Sequence, residues 1–106
     1  MDAATIMFYG NRTFMGALDG LEMSFWSRPD VCGVWSVKDI VSHMAASELL
    51  TSDILGMFSG ASEKPMFDRY AATYKTWNDD MVEARKHLSA GAALAEYTAA
   101  YDEKMA

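Results

Sequence analysis

Trp35–Glu48 reads WSVKDIVSHMAASE, and this stretch decides the fold. Ser36 is placed as a helix N-cap, where a short hydroxyl side chain accepts from the exposed amides of the first turn. Asp39, three residues later, is placed to return a bond to the Ser36 amide, which makes a capping box. Its negative charge also suits the positive end of a helix. Trp35 before the cap and Ile40 at the fourth helical position have the spacing of a hydrophobic staple. Val37, Ile40, Val41, Met44, Leu50, Ile54, Leu55 and Phe58 continue one apolar face. The pattern predicts a helix from this start to near Phe58, before Gly60.

Toward the N-terminus, Ser27–Val34 (SRPDVCGV) reads as a loop punctuated by Pro29 and Gly33. Before it, Met7, Phe14, Leu18, Leu21 and Phe25 recur at helical spacing and predict a first helix over about Thr5–Trp26. Gly10, Gly16 and Gly20 interrupt that pattern. Each costs about 1 kcal/mol relative to alanine inside a helix. They mark either close helix–helix approach or a marginal helix held by packing.

Toward the C-terminus, Phe67, Tyr70, Tyr74, Trp77, Met81, Ala84 and Leu88 alternate spacings of three and four, the pattern of a third helix with Pro65 in its first turn. Asn78, Asp79 and Asp80 offer a second start, so a break near Trp77 is the alternative. Ser89 is the N-cap of a last helix with Leu94, Tyr97, Tyr101 and Met105 on its stripe. No segment has the period-two alternation or the turn dipeptides of a β-hairpin. The fold class is therefore all-α: an up-and-down bundle of about four helical segments, one domain over residues 1–106.

Composition excludes several function classes. Fifteen acidic residues against nine basic ones give a net charge of -6. That argues against nucleic acid and anionic membrane as partners, since both need a basic face. No apolar run approaches the roughly 20 residues of a membrane span, and the N-terminus lacks a secretory pattern. A single cysteine, Cys32, allows no internal disulfide and fits a cytoplasmic location. Nine methionines read chiefly as core filler.

Few side chains carry site chemistry. His43 shares a helix side with Ile40, Leu50 and Ile54, and Asp39 one turn back is its candidate hydrogen-bond partner. The commoner role of a histidine on an apolar face is a satisfied core or boundary residue. Glu48, five residues beyond His43, is off its face and reads first as a solvated carboxylate. Arg85, Lys86 and His87 read as ordinary charges near a helix C-terminus. Nothing beside Cys32 compels a reactive thiol. Two histidines without H-x3-H or C-x2-C spacing do not make a metal site within one chain.

The Trp35–Glu48 stretch resembles the DinB-like superfamily, which includes the N-terminal domain of mycothiol-dependent maleylpyruvate isomerases. Trp35, Ser36, Val37, Asp39, Ile40, Val41, His43, Met44 and Glu48 match in order its W-S/T-V-x-D/E signature, which continues through a histidine to a glutamate. Trp77–Leu88, with Asn78 and Arg85, resembles the family's third-helix start, and Ser89 with Leu94 resembles the next stretch. The resemblance implies a four-helix bundle. It implies that His43 is the first of three ligands to nickel or zinc, the other two coming from a later helix as an E/H-x3-H pair. The chain ends at Ala106 without that pair and reads as stopping before that helix, which leaves the site incomplete in one chain.

A bundle short of one helix would leave an apolar groove of several hundred Å² open, on the order of what monomers seldom tolerate. The expectation is a homodimer that covers it by two-fold symmetry. Three functional readings follow. The first is a small-molecule or metal site around Trp35, His43 and Glu48, with His43 as ligand or general base. The second is a non-catalytic dimeric interaction module that has lost the site. The third is a fragment of a longer protein.

Overall fold

The computed structural model describes residues 2–106. It contains α1 (Ala3–Leu18), α2 (Met23–Trp26), α3 (Val37–Phe58), α4 (Pro65–Thr73), α5 (Trp77–Ala84) and α6 (Ala90–Met105). Among the described residues there is no strand, only one isolated antiparallel bridge between Cys32 and Trp35. The fold is an all-α helical bundle.

Specific contacts fix the direction of each run. Lys38 at the start of α3 donates to the carbonyls of Lys86 and Leu88 just before α6, at 3.0 and 2.9 Å. Further along, Glu48 of α3 meets Lys104 near the end of α6. The two central helices therefore run parallel. Asp53, late in α3, accepts from the Met66 and Phe67 amides that open α4, at 2.7 and 3.1 Å. Lys86, just past α5, returns to Asp39 at the α3 start. Thus α4 and α5 together make one antiparallel return alongside α3. On the other side Asn11 lies at Tyr97, while Leu18 shares a cavity wall with Leu94, so α1 descends along α6. The four runs go down, up, down and up.

The central pair is closely packed because its contact face is small. Ala45 on α3 and Ala93 on α6 are buried in the same cluster, and Ala100 on α6 is buried as well. Alanine at such positions loses no rotamer entropy and lets backbones approach. The core divides into two clusters about α3. Trp26, Val37, Val41, Ala45, Ala93 and Tyr97 form one, with Phe14 and Leu18 of α1 half-buried against it. Ala46, Trp77 and Met81 form the other, with Leu50 and Met66 at its margin. The molecule measures 43 × 32 × 21 Å, so its thin dimension is about two helix diameters.

Two expectations need correction. The predicted Thr5–Trp26 helix is not continuous: it breaks after Leu18. Asp19 is extended and Gly20 has φ 79°, a left-handed conformation that glycine adopts without a Cβ penalty. Of the two readings of the glycines, close approach is the one that fails, since a Cβ built on Gly10 or Gly16 would meet nothing within 4 Å. Those two sit in a peripheral helix that buries none of its residues fully.

The open alternative in the third segment resolves as a break. Residues 74–76 form a turn between α4 and α5, and the Thr76 hydroxyl donates to Asp80 at 2.7 Å across the new start. Tyr74 and Ala84 are exposed, so the regular stripe is not one continuous seam. The α3 start agrees with its reading. Ser36 Oγ accepts from the Asp39 amide and Asp39 Oδ2 from the Ser36 amide, both at 3.1 Å, and the helix ends at Phe58. Ser89 caps α6 by accepting from the Ala92 amide at 3.1 Å.

Candidate functional site

His43 stands on the second turn of α3, positioned by the capped start below it. The Trp35 ring, folded back from the loop, lies 5.2 Å from the imidazole at an interplanar angle of 38°. His43 Nδ1 is buried and has no hydrogen-bond partner. Burial alone depresses the histidine pKa, because removing water disfavours the imidazolium. The ring is neutral at pH 7.

Asp39 does not serve His43. Its carboxylate accepts from the Ser36 amide and from Lys86 Nζ, which is 3.2 Å from both oxygens. Burial pushes this carboxyl up, but the Ser36 amide and the Lys86 ammonium outweigh it, and its pKa lies below the ordinary value. The expected Asp39–His43 bond is therefore replaced by an Asp39–Lys86 cross-link.

Glu48 corrects its first reading more sharply. It is buried rather than solvated. Its Oε2 lies 2.6 Å from Lys104 Nζ, an ion-pair contact without hydrogen-bond alignment, since Oε2 has no hydrogen-bond partner. Lys104 also sits 5.0 Å over the Tyr101 ring. The neighbouring Tyr97 phenol is pushed up to about 12 by its burial, by the charge of Glu48 and by Tyr101. It stays protonated and donates to Asn11 Oδ1 at 2.7 Å. Tyr97 meets Phe14 edge-on at 5.1 Å, which pins α1 to the body.

The three sequence-predicted site residues thus fall into two places. Trp35 and His43 are together on one side of α3. Glu48 faces α6 and belongs to the Lys104–Tyr101–Tyr97 cluster. Arg85 and Lys86 are more than terminal charges: Arg85 Nε donates to Glu96 at 2.8 Å, and Lys86 ties α5 to α3. His87 and Cys32 are exposed. Among the described residues, four of the surface cavities have volumes of 320–490 Å³, and none of these four has Trp35, His43 or Glu48 in its wall.

The donor set tests the nickel or zinc site that the resemblance implies. Among the described residues no group of three His, Cys, Asp or Glu side chains is placed to hold a metal. His43 has an indole beside it, and the two nearest signature carboxylates already neutralise lysines. The residues present do not fit the metal.

The depressed His43 pKa has a signed consequence for stability. The unfolded chain takes up a proton near pH 6.5 and the folded chain at lower pH. His43 therefore supports folding above pH 6.5, and this support is lost as pH falls through the folded value. Urea unfolding is expected to weaken between pH 7.5 and 5.5, and His43→Gln to flatten that slope. The Asp39 contribution is lost separately, below its ordinary 3.8. Equal slopes in the two proteins would refute the assignment.

Comparison with known proteins gives one match. The family model described as the mycothiol maleylpyruvate isomerase N-terminal domain matches residues 10–106. No curated protein and no solved structure matches the chain. Among the described residues no helix is long and apolar enough to cross a membrane.

Proposed function

The chain belongs to the mycothiol maleylpyruvate isomerase N-terminal domain family, and from that premise we propose that it acts as a non-catalytic helical module that pairs with a second copy of itself. The observation that carries this is how the signature polar residues are spent. Asp39 and Glu48 are neutralised within the chain by Lys86 and Lys104, so His43 stands without a carboxylate partner. The polar chemistry of the motif is used to hold helices together. A reducing cytoplasm suits such a module, since Cys32 is exposed and free.

Its surface supports the pairing. The peripheral α1 exposes Ile6, Phe8 and Tyr9, and Phe58 at the α3 end is 85% exposed. Single exposed apolar residues are ordinary, but the Phe8 and Tyr9 rings meet at 5.3 Å and Ile6 lies one turn from Tyr9, which joins the three into a patch. Light scattering at micromolar concentration is expected to give twice the chain mass. Phe8→Lys with Tyr9→Lys should weaken the dimer at least roughly tenfold, the effect of about 1.4 kcal/mol, with unchanged helical circular dichroism. A wild-type monomer would overturn the proposal.

One observation favours a second reading, in which His43 binds a small molecule. Its buried Nδ1 is without a partner beside the Trp35 ring. His43→Gln separates the two. Under the association reading it changes only the pH dependence of stability. Under the second it also abolishes the thermal stabilisation that a screen of small polar molecules gives with the wild-type chain.

A further inference from the structure

An open cavity of about 420 Å³ lies where the end of α1 meets α2 and α6. Met15, Leu18, Leu21 and Leu94 give it apolar walls, and Trp26 and Asp19 also line it. Trp26 is 2% exposed, and its indole Nε1 has no hydrogen-bond partner. An indole N–H can only donate. Left unpaired in a core it carries its full desolvation cost, which an incoming acceptor would remove. The same side chain is thus both a cavity wall and an unanswered donor. Its nitrogen is closed to water, so an acceptor in the cavity reaches it only when a neighbouring side chain moves.

We propose that this cavity binds a small neutral molecule with an apolar body and one carbonyl-type oxygen, held by the Trp26 indole N–H. The volume fits an aromatic or alicyclic ketone or amide of roughly ten heavy atoms, since cavities of about 150 Å³ already take benzene. The apolar walls bind the ring. One donor selects one oxygen. Asp19 in the wall and the net charge of -6 select against carboxylates. Ile6, Phe8, Tyr9, Asp39 and Glu48 do not line the cavity, so the proposal stands apart from the association reading.

The test is a nitrogen–proton NMR titration of the full chain with acetophenone, ethylbenzene and benzoate. The indole signals of Trp26, Trp35 and Trp77 are told apart with Trp35→Phe and Trp77→Phe. Acetophenone is expected to move the Trp26 indole proton downfield saturably while the other two stay in place. Ethylbenzene, which lacks the oxygen, should bind roughly fivefold or more weakly and cause no downfield shift. Benzoate should not titrate the signal. Leu94→Trp fills the cavity and should abolish the acetophenone shift in a helical protein. No saturable Trp26 shift up to the solubility limit would overturn the proposal. So would equal affinity for ethylbenzene or benzoate. The three-ligand series on the wild-type chain decides this even where Leu94→Trp does not fold.

Discussion

Lys104→Met is expected to cost about 3–5 kcal/mol in urea unfolding at pH 7, the effect of leaving a buried charge without its partner. The Lys104 and Glu48 side chains are 6% and 12% exposed, and their charged atoms are 2.6 Å apart. Removing the ammonium strands the Glu48 carboxylate against Tyr97 and Tyr101, where water does not reach its Oε2. Replacing both residues by methionine should recover most of the loss, because two desolvation costs disappear together. A control separates this from generic loss of a lysine. Lys64–Asp68 has the same 2.6 Å separation but is 31% and 62% exposed. Lys64→Met should therefore cost no more than about 0.5 kcal/mol. Similar losses for the two lysines would show that Glu48–Lys104 is solvated in solution.

Trp77→Ala should cost a comparable amount, about 3–5 kcal/mol, by removing a large side chain from a core that cannot collapse around the gap. Trp77 is 3% exposed and packs with Ala46 and Met81. The Tyr70 ring meets it edge-on at 5.6 Å. It is the largest group between α3 and the α4–α5 return. The loss should also be local: in hydrogen exchange, α5 amides lose protection while the α3–α6 pair keeps it. Tyr70→Leu, which removes only the edge contact and some area, should cost about 1 kcal/mol. A Trp77→Ala loss no greater than that of Tyr70→Leu would mean that the second cluster does not hold α5.

Local chemistry in this chain is legible from sequence, and distant pairing is not. Ser36, Asp39 and Ser89 state their capping roles within three residues, and each does what its spacing implies. Periodicity places α3 and α6 because their faces alternate consistently. It does not see the break at residues 74–76, because a stripe of aromatics at spacings of three and four keeps time across a turn. Gly20 carries its warning in its residue type, yet Gly10 and Gly16 look the same and remain helical. The site is less legible. The reading of Asp39 as a partner for His43 rests on one helical turn, and Lys86, 47 positions away, takes that carboxylate first. Glu48 reads as solvated because Lys104 lies at the far end of the chain, and no local pattern joins the two.

The Asp53 bond to α4 bears on how the chain reaches its native state. Lys64, at the α4 N-cap, gives that helix no side-chain acceptor, whereas Asp53 of α3 receives two of its first amides. A helix of nine residues is too short to persist alone in water. Its nucleus is therefore assembled on a surface that must already exist. In the native state α3 supplies the acceptor that the α4 start lacks. Assembly of the return leg is expected to follow the central helix, so Asp53→Ala, which removes the acceptor, should delay protection of the α4 amides in pulsed hydrogen exchange while α3 is protected on time.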